Sequence, residues 1–495
     1  MLTGITLAGL NIQYTSSLHA QKIIPLSLES AVEMAMKNSY RIKQLELGIE
    51  ETRYWLRSER AALKSRVYMN LRTPDFNALS EYKWNSTIEK DEIVYLNTRL
   101  WQMDLAVKQP VILMGYPTNG YLSLNNRVYR YFQKSDIDRN VNYYNRFFAL
   151  FEQPILLPNE LRNEIEEAEL NLEQRELEYL SDRVYLIEDI AYRYNNLFRL
   201  TYNNEIYSHK LKNLEKLLDI TINISQQDTT RNIEGARVEL ELANAREIVL
   251  KNQNETRYQA MLIKQRLGLS DQDSLHVEPV VNITPVVVNP DEALHYGFSL
   301  RPRLRLLGIE KRKREIRLEN VKGNNSFHLN LEVTLGLEKQ EDHYQAMWDK
   351  YNNSYSVSVS AYVPIWDWGR RTLNVEAEKV NVRRAELNIE ETEESIRNEI
   401  MNTITNLQDY QQRALNLAEN LKTAQEIIDI SISQYRENKL SLQGILQIIE
   451  RQKDTELNFI DAYLGYRRSL ISLMADTFYD YENDISLSDK FQSAE

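Results

Sequence analysis

Between Phe327 and Leu337 the chain alternates residue by residue. Phe327, Leu329, Leu331, Val333, Leu335 and Leu337 fall on one face of a predicted strand, and His328, Asn330, Glu332, Thr334 and Gly336 on the other. A second strand over 354–363 sets Tyr355, Val357, Val359, Ala361 and Val363 against Ser354, Ser356, Ser358 and Ser360. Beyond Ile365 no proline occurs, and the apolar spacing changes to three and four. Ile396, Ile400, Thr403, Leu407, Tyr410, Ala414, Leu417, Leu421, Ala424, Ile428, Ser431 and Tyr435 follow heptad steps. At 1.5 Å per residue, a helix from Gly369 to Arg436 is about 100 Å long. A strand therefore runs into a rod through 361–380 (AYVPIWDWGRRTLNVEAEKV), with Pro364 and Gly369 at the joint.

The first half carries the same alternation of periods. A helical stripe over 28–63 uses Leu28, Ala31, Val32, Ala35, Leu45 and Ile49, with Ser27 as its cap. Val67, Met69 and Leu71 then alternate with polar neighbours. After a polar stretch read as a loop, Trp101, Met103, Leu105 and Val107 do the same. Two aromatic-rich segments, 120–132 and 142–153, read as further strands. A long helix follows Pro158 to about Ser225, and a return helix runs over 233–267 to Gly268.

The two halves repeat. Gly48, Ile49 and Glu50 recur as Gly308, Ile309 and Glu310; Ala31 matches Ala293; and Pro154 with Ile155 matches Pro364 with Ile365. Pro154 is thereby predicted as a second joint. The expected divisions are a signal-like segment at 1–20, a first unit at 21–270, a linker at 271–290, a second unit at 291–475, and a polar tail at 476–495.

Composition removes several function classes. The 72 acidic and 60 basic residues give a net charge of -12, which opposes nucleic-acid binding. With no cysteine, disulfides, thiolate metal sites and cysteine nucleophiles are excluded. The six histidines stand in no metalloprotease pattern, and no glycine loop cradles a phosphate. Glu341, Asp342 and His343 read as an outer loop, and Asp367 as a turn residue. The reading is a protein that is not an enzyme and needs no cofactor. Tyr185, Tyr192 and Tyr194 are expected to pack between helices, while other tyrosines suit membrane interfaces.

The segments LESAVEMAMKNSYR (28–41), SLRPRL (299–304), VPIWDWGRR (363–371) and YRENKLSLQGILQIIERQKD (435–454) occur in this order within the repeated frame. Together they resemble the TolC-type outer-membrane efflux channels over about 26–475. The resemblance implies a mixed fold in which an all-α rod adjoins transmembrane β-structure. It implies a homotrimer whose strands close one β-barrel in outer-membrane lipid, continued by a periplasmic α-helical coiled-coil tunnel. It further implies an exit duct fed by an inner-membrane pump through a periplasmic adaptor. By the same resemblance the helical tips at 226–232 and 437–441 meet the adaptor, through Asp228, Thr229, Thr230, Asn438, Lys439 and Leu440. Asn232, Gly444 and Gln447 fall where many members carry a gate, and no acidic ring is formed by these three. The family uses two strands per half; here the first half has room for four. Two or four both satisfy the parity of a chain that enters and leaves on one side. The competing reading is a soluble coiled-coil scaffold, which accounts for the rod and leaves the alternating strands unexplained.

Overall fold

A computed structural model describes residues 23–85, 88–134, 139–227, 232–270, 272–324 and 326–492. In chain order the elements are β1 (Ile23–Pro25), α1 (Leu28–Asn38), α2 (Tyr40–Ala61), β2 (Arg66–Asn85), β3 (Lys90–Leu113), β4 (Tyr116–Lys134), β5 (Arg139–Ile155), α3 (Glu160–Gln227) and α4 (Asn232–Leu267). They continue as β6 (Ser274–His276), α5 (Pro290–Ser299), α6 (Pro302–Asn324), β7 (His328–Glu341), β8 (Asn352–Tyr362), α7 (Arg370–Arg436), α8 (Leu442–Thr477), β9 (Tyr479–Asp480), β10 (Ile485–Ser486) and α9 (Leu487–Gln492). The order helices, strands, long helix, return helix occurs twice, as the repeat predicts. Among the described residues no helix is long and apolar enough to cross a membrane.

The helical stripe at 28–63 is broken into two helices. Ser27 forms a capping box with Ser30 on α1, but Ser39 is extended (φ -65, ψ 120) and its hydroxyl accepts from Ile42 N–H at 3.4 Å. A serine that bonds local backbone offers the chain an alternative to the helix. In the second half α5 and α6 are likewise separated at Leu300 and Arg301, with Pro302 opening α6.

Two compact units form. One contains 45–178 and 302–393 and holds a six-stranded antiparallel sheet in the order β2, β3, β4, β5, β7, β8. All four first-half strands belong to this one sheet, and the polar stretch read as a loop between Arg72 and Trp101 instead continues β2 and β3 as a paired hairpin. Within the same unit, cross-helix ion pairs join Arg312 to Glu166 (2.6 Å), Arg305 to Glu173 (2.5 Å) and Lys311 to Glu386 (3.1 Å). These half-exposed pairs set helix pairing more than stability.

Among the described residues the other unit contains 23–44, 179–301 and 394–492, and the signal-like segment at 1–20 lies outside them. One core joins Ala31 and Ala35 of α1 to Ile190 and Leu197 of α3, Ile263 of α4 and Ile460 of α8. The repeat is visible in packing, since Ala31 and Ala293 are both fully buried. Of the heptad seam on α7, Ile396, Ile400, Leu407, Ala414, Ile428, Ser431 and Tyr435 are buried, whereas Leu417, Leu421 and Ala424 are only half-buried. Tyr194 packs as expected; Tyr185 and Tyr192 do not, and both are mostly exposed. The expected polar tail folds: Phe478, Leu487 and Phe491 close a cluster with Val184 and Ala475.

Candidate functional site

The register of the sheet sorts its side chains into two faces. Rows such as Tyr355, Leu335, Ala149, Leu124, Val107 and Val67 run from β8 to β2 on one face. The same face carries Val357, Leu337, Phe147, Leu105, Met103 and Trp101, and much of it is exposed, with Tyr355 82% and Val357 68% accessible. The opposite face is polar. It presents Ser354 to Ser360 at alternate positions on β8, and ion pairs Arg127 with Asp104 (2.6 Å) and Arg146 with Glu338 (3.5 Å). An exposed apolar face of six strands is far too large for water and is stable against lipid or another protein.

The apolar band also climbs. On β8 its centre lies between Val357 and Val359, in the rows of Val333 and Leu331. On β3 the centre lies between Leu105 and Met103, in the rows of Leu337 and Lys339. Six residues of rise, about 20 Å, over four strand spacings of about 4.8 Å correspond to a tilt of about 45°. Membrane barrels tilt their strands by about 35–45°. Above the band, Tyr351 and Tyr344 of the β7–β8 loop lie edge-on to Phe147 and Tyr143 (5.8 Å each), and Asn145 donates to the Tyr351 hydroxyl at 2.8 Å. Asp342 and His343 pair at 2.6 Å in the exposed part of this loop.

The two joints differ. Pro154 lies within β5, opposite Asn330, and not at the strand's end. Pairing of β4 with β5 stops at Glu152, so the proline sits where one edge is open, as a ladder requires of it. The turn itself is 156–159, with Leu156 at φ 69. It is held by the β3–β4 hairpin: Asn119 donates to Pro158 O, Asn159 donates to Pro117 O, and Glu160 N–H donates to Asn119 at 2.9 Å. Pro364 lies just past the end of β8, after Val363. Trp368 (φ 56) and Gly369 (φ 79) then turn the chain, and Asp367 accepts from Gly369 N–H (3.0 Å) and Arg371 N–H (2.7 Å). Asp367 is thus the cap of α7, a role that its two tryptophan neighbours masked in the sequence. Gly369→Val is expected to cost about 2 kcal/mol or more for a β-branched residue at positive φ. Asp367→Ala should cost about 1 kcal/mol. Both are read as lowered melting temperature of the assembled protein, and unchanged melting would make the joint a passive linker.

At the far end, Asn438 (φ 57) terminates α7 with Lys439 N–H donating to Gln434 O (2.8 Å) and Asn438 N–H to Tyr435 O (3.1 Å). This is the two-bond left-handed helix stop. Lys439 pairs with Glu437 at 2.6 Å, while Leu440 packs into the tip core of Leu217, Val238, Ile432 and Ile445. Leu440 is therefore a structural residue of the turn as well as a tip residue. Asn232 opens α4, and Asp228, Thr229 and Thr230 lie outside the described residues. Gly444 N–H donates to the Ser441 cap at 3.2 Å. Gln447 is exposed in a cleft of about 750 Å³ together with Lys210, Arg237, Glu241 and Glu450. Gly444 is not among that cleft's lining residues. Burial raises the Glu450 carboxyl, but bonds from Lys210 (2.7 Å) and Lys453 outweigh it and hold the group below its ordinary range. This charged cleft is not legible along the chain, because its cations and carboxylates come from three separated helices.

Further along α8, Glu456 is buried and accepts from Gln452 at 3.2 Å. Burial pushes its carboxyl up to about 7, against a smaller lowering by Gln452. The folded state therefore holds this proton more tightly than the unfolded chain. Its stabilisation is complete below about pH 4.3 and is lost as pH rises through about 7. Glu456→Gln is expected to flatten the fall in thermal stability between about pH 5 and about pH 7, where the slope is at most about 1.4 kcal/mol per pH unit. An unchanged slope in the variant would assign it to other groups.

CmeC, the outer membrane channel of Campylobacter jejuni, superposes with a TM-score of 0.66 at 14% identity, over 100% of this chain and 97% of that one. VceC, an outer membrane protein of Vibrio cholerae, gives 0.65 at 14% identity, over 91% and 95%. The outer-membrane channel OprN gives 0.66 at 15% identity, over 91% and 89%. At these identities the likeness shows the fold. No curated protein matches the chain in sequence. Residues 323–475 match the family model described as outer membrane efflux protein, which spans β7, β8, the joint, α7 and most of α8. The chain thus carries a match to the outer membrane efflux protein domain in its second half and has the fold of the outer-membrane channels throughout.

Proposed function

We propose that this chain is the passive exit duct of a tripartite efflux or secretion system, assembled as a homotrimer. The observation that carries the reading is the partition of one sheet into an apolar and a polar face, on strands that continue into α3 and α7, each of more than sixty residues. An open sheet edge is not tolerated in lipid, so the strands must close with those of other copies. Six strands from each of three copies make a barrel of 18, and barrels of 16–18 strands leave an aqueous lumen. The Ser354 to Ser360 row and the Arg127 and Arg146 pairs would then face water.

The partners follow from the same reading: lipid on the apolar face, and a periplasmic adaptor, itself bound to an inner-membrane pump, at the tips. Asp228, Thr229, Thr230, Asn438, Lys439 and Leu440 are the proposed adaptor contacts; Asn232, Gly444 and Gln447 are the proposed gate lining. The chain supplies no chemistry of its own, so the pump would provide the energy. Purified protein in planar bilayers is expected to form cation- and anion-permeable steps, and to fractionate with outer membranes in cells. Recovery only in the aqueous fraction would favour the soluble scaffold reading.

A further inference from the structure

The apolar band ends on β3 at Trp101 and on β4 at Val128. Immediately above it, on the same face, stands a cationic cleft of about 590 Å³. Arg99 lies over two rings, Phe76 at 5.3 Å and Phe132 at 5.6 Å, and Arg139 lies over Phe132 at 5.3 Å. Lys134 is directly opposite Arg139 on β5 and Asn97 on β3, so the three cations share one patch. Among the described residues no carboxylate lines the cleft. Arg99 is two residues beyond Trp101, about 7 Å along the strand.

Two features decide what such a patch binds. The cations are at the height where an apolar band gives way to headgroups, on the side away from the helices that leave the sheet. Their guanidinium forks match the geometry of a phosphate, while the rings beneath them offer an apolar floor for the adjoining part of the molecule. A soluble anion would use the forks and leave the rings idle. From this geometry we propose that Arg99, Lys134 and Arg139 bind the phosphorylated headgroup of a lipid in the outer leaflet, with Phe76 and Phe132 against its upper apolar part. The proposal rests on the barrel reading above and adds a ligand to it.

The test uses the full-length assembly in bilayer nanodiscs, with native mass spectrometry counting the lipids retained. Diphosphoryl lipid A, its dephosphorylated form and inorganic phosphate are the probes. Wild-type protein is expected to retain the phosphorylated lipid selectively. The combined Arg99→Gln, Lys134→Gln and Arg139→Gln variant should retain it about 10-fold to about 100-fold less. Arg66→Gln with Lys108→Gln, on the opposite face, should leave retention unchanged. Equal retention by wild type and the triple variant overturns the proposal. So does equal retention of the dephosphorylated lipid, or inorganic phosphate held as tightly as the lipid, which would make this a free-anion site. If wild type never enters nanodiscs, the barrel reading itself fails and the proposal falls with it, before any lipid is counted. The conductance of the triple variant separates lost lipid from lost folding, and normal conductance with lost lipid is the supporting result.

Discussion

Val357→Arg is expected to strip most of the protein from the outer membrane, whereas Ser358→Arg, one residue away, is expected to leave it in place. Val357 stands in the middle of the band on β8 and is 68% accessible, with Val333 opposite. An arginine on the lipid face near the bilayer midplane costs about 2–4 kcal/mol in each copy, and the three copies of a trimer bear it together. Ser358 lies on the polar face opposite Glu332, where an arginine meets water and an opposite charge. Membrane fractionation of the two variants, with total expression as control, checks the assignment of faces. Equal loss of both would reflect strand disruption, and equal retention of both would remove the sheet from the bilayer.

The contrast between these neighbours was legible in the sequence because a half-buried strand repeats every two residues. The legibility stops where the environment stops being two-sided. Along β2 and β3 above Arg72, residues such as Asp75, Asn77, Ser80 and Glu81 have water on both faces, so no dyad is written and the segment reads as a loop. The rods were legible for the complementary reason, since Ile396, Ile400, Leu407 and Ile428 are held to one seam by a fixed period. The breaks in the shorter helices, at Ser39 and before Pro302, are set by single residues that a periodicity cannot carry. The folded C-terminal cluster depends on only Phe478, Leu487 and Phe491 among polar residues, too sparse a signal for any period. At the tip, the turn at Asn438 was visible, but the cleft around Gln447 is assembled from α3, α4 and α8 and exists only after folding.

The number of strands in the wall has the second large consequence. β3 and β4 pair without a break from Asn97 opposite Lys134 to Pro110 opposite Tyr121, so β2 and β3 continue the sheet proposed as the wall. Their own dyad agrees, with Val67, Met69 and Leu71 on the lipid side and Tyr68, Asn70 and Arg72 on the polar side. A hairpin outside the barrel would put that polar row into lipid. The two free edges of the sheet are then β2 and β8, and they run antiparallel when one copy follows another around the ring. Carrying the same rise across one more strand sets Ser358 of one copy near Arg72 of the next. The chain has no cysteine of its own, so introduced pairs report without background. Cysteines at Ser358 together with Asn70 or Arg72 are expected to give a reducible, covalently linked trimer on denaturing gels, since facing strand residues lie within reach of a disulfide. Cysteines at Ser358 and Asn125 of β4 should give none. Linking by the β4 pair instead would mean that only four strands per copy close the barrel. The lumen would then be narrower, and the cationic cleft on β3 and β4 would lie at or beyond the edge of the wall.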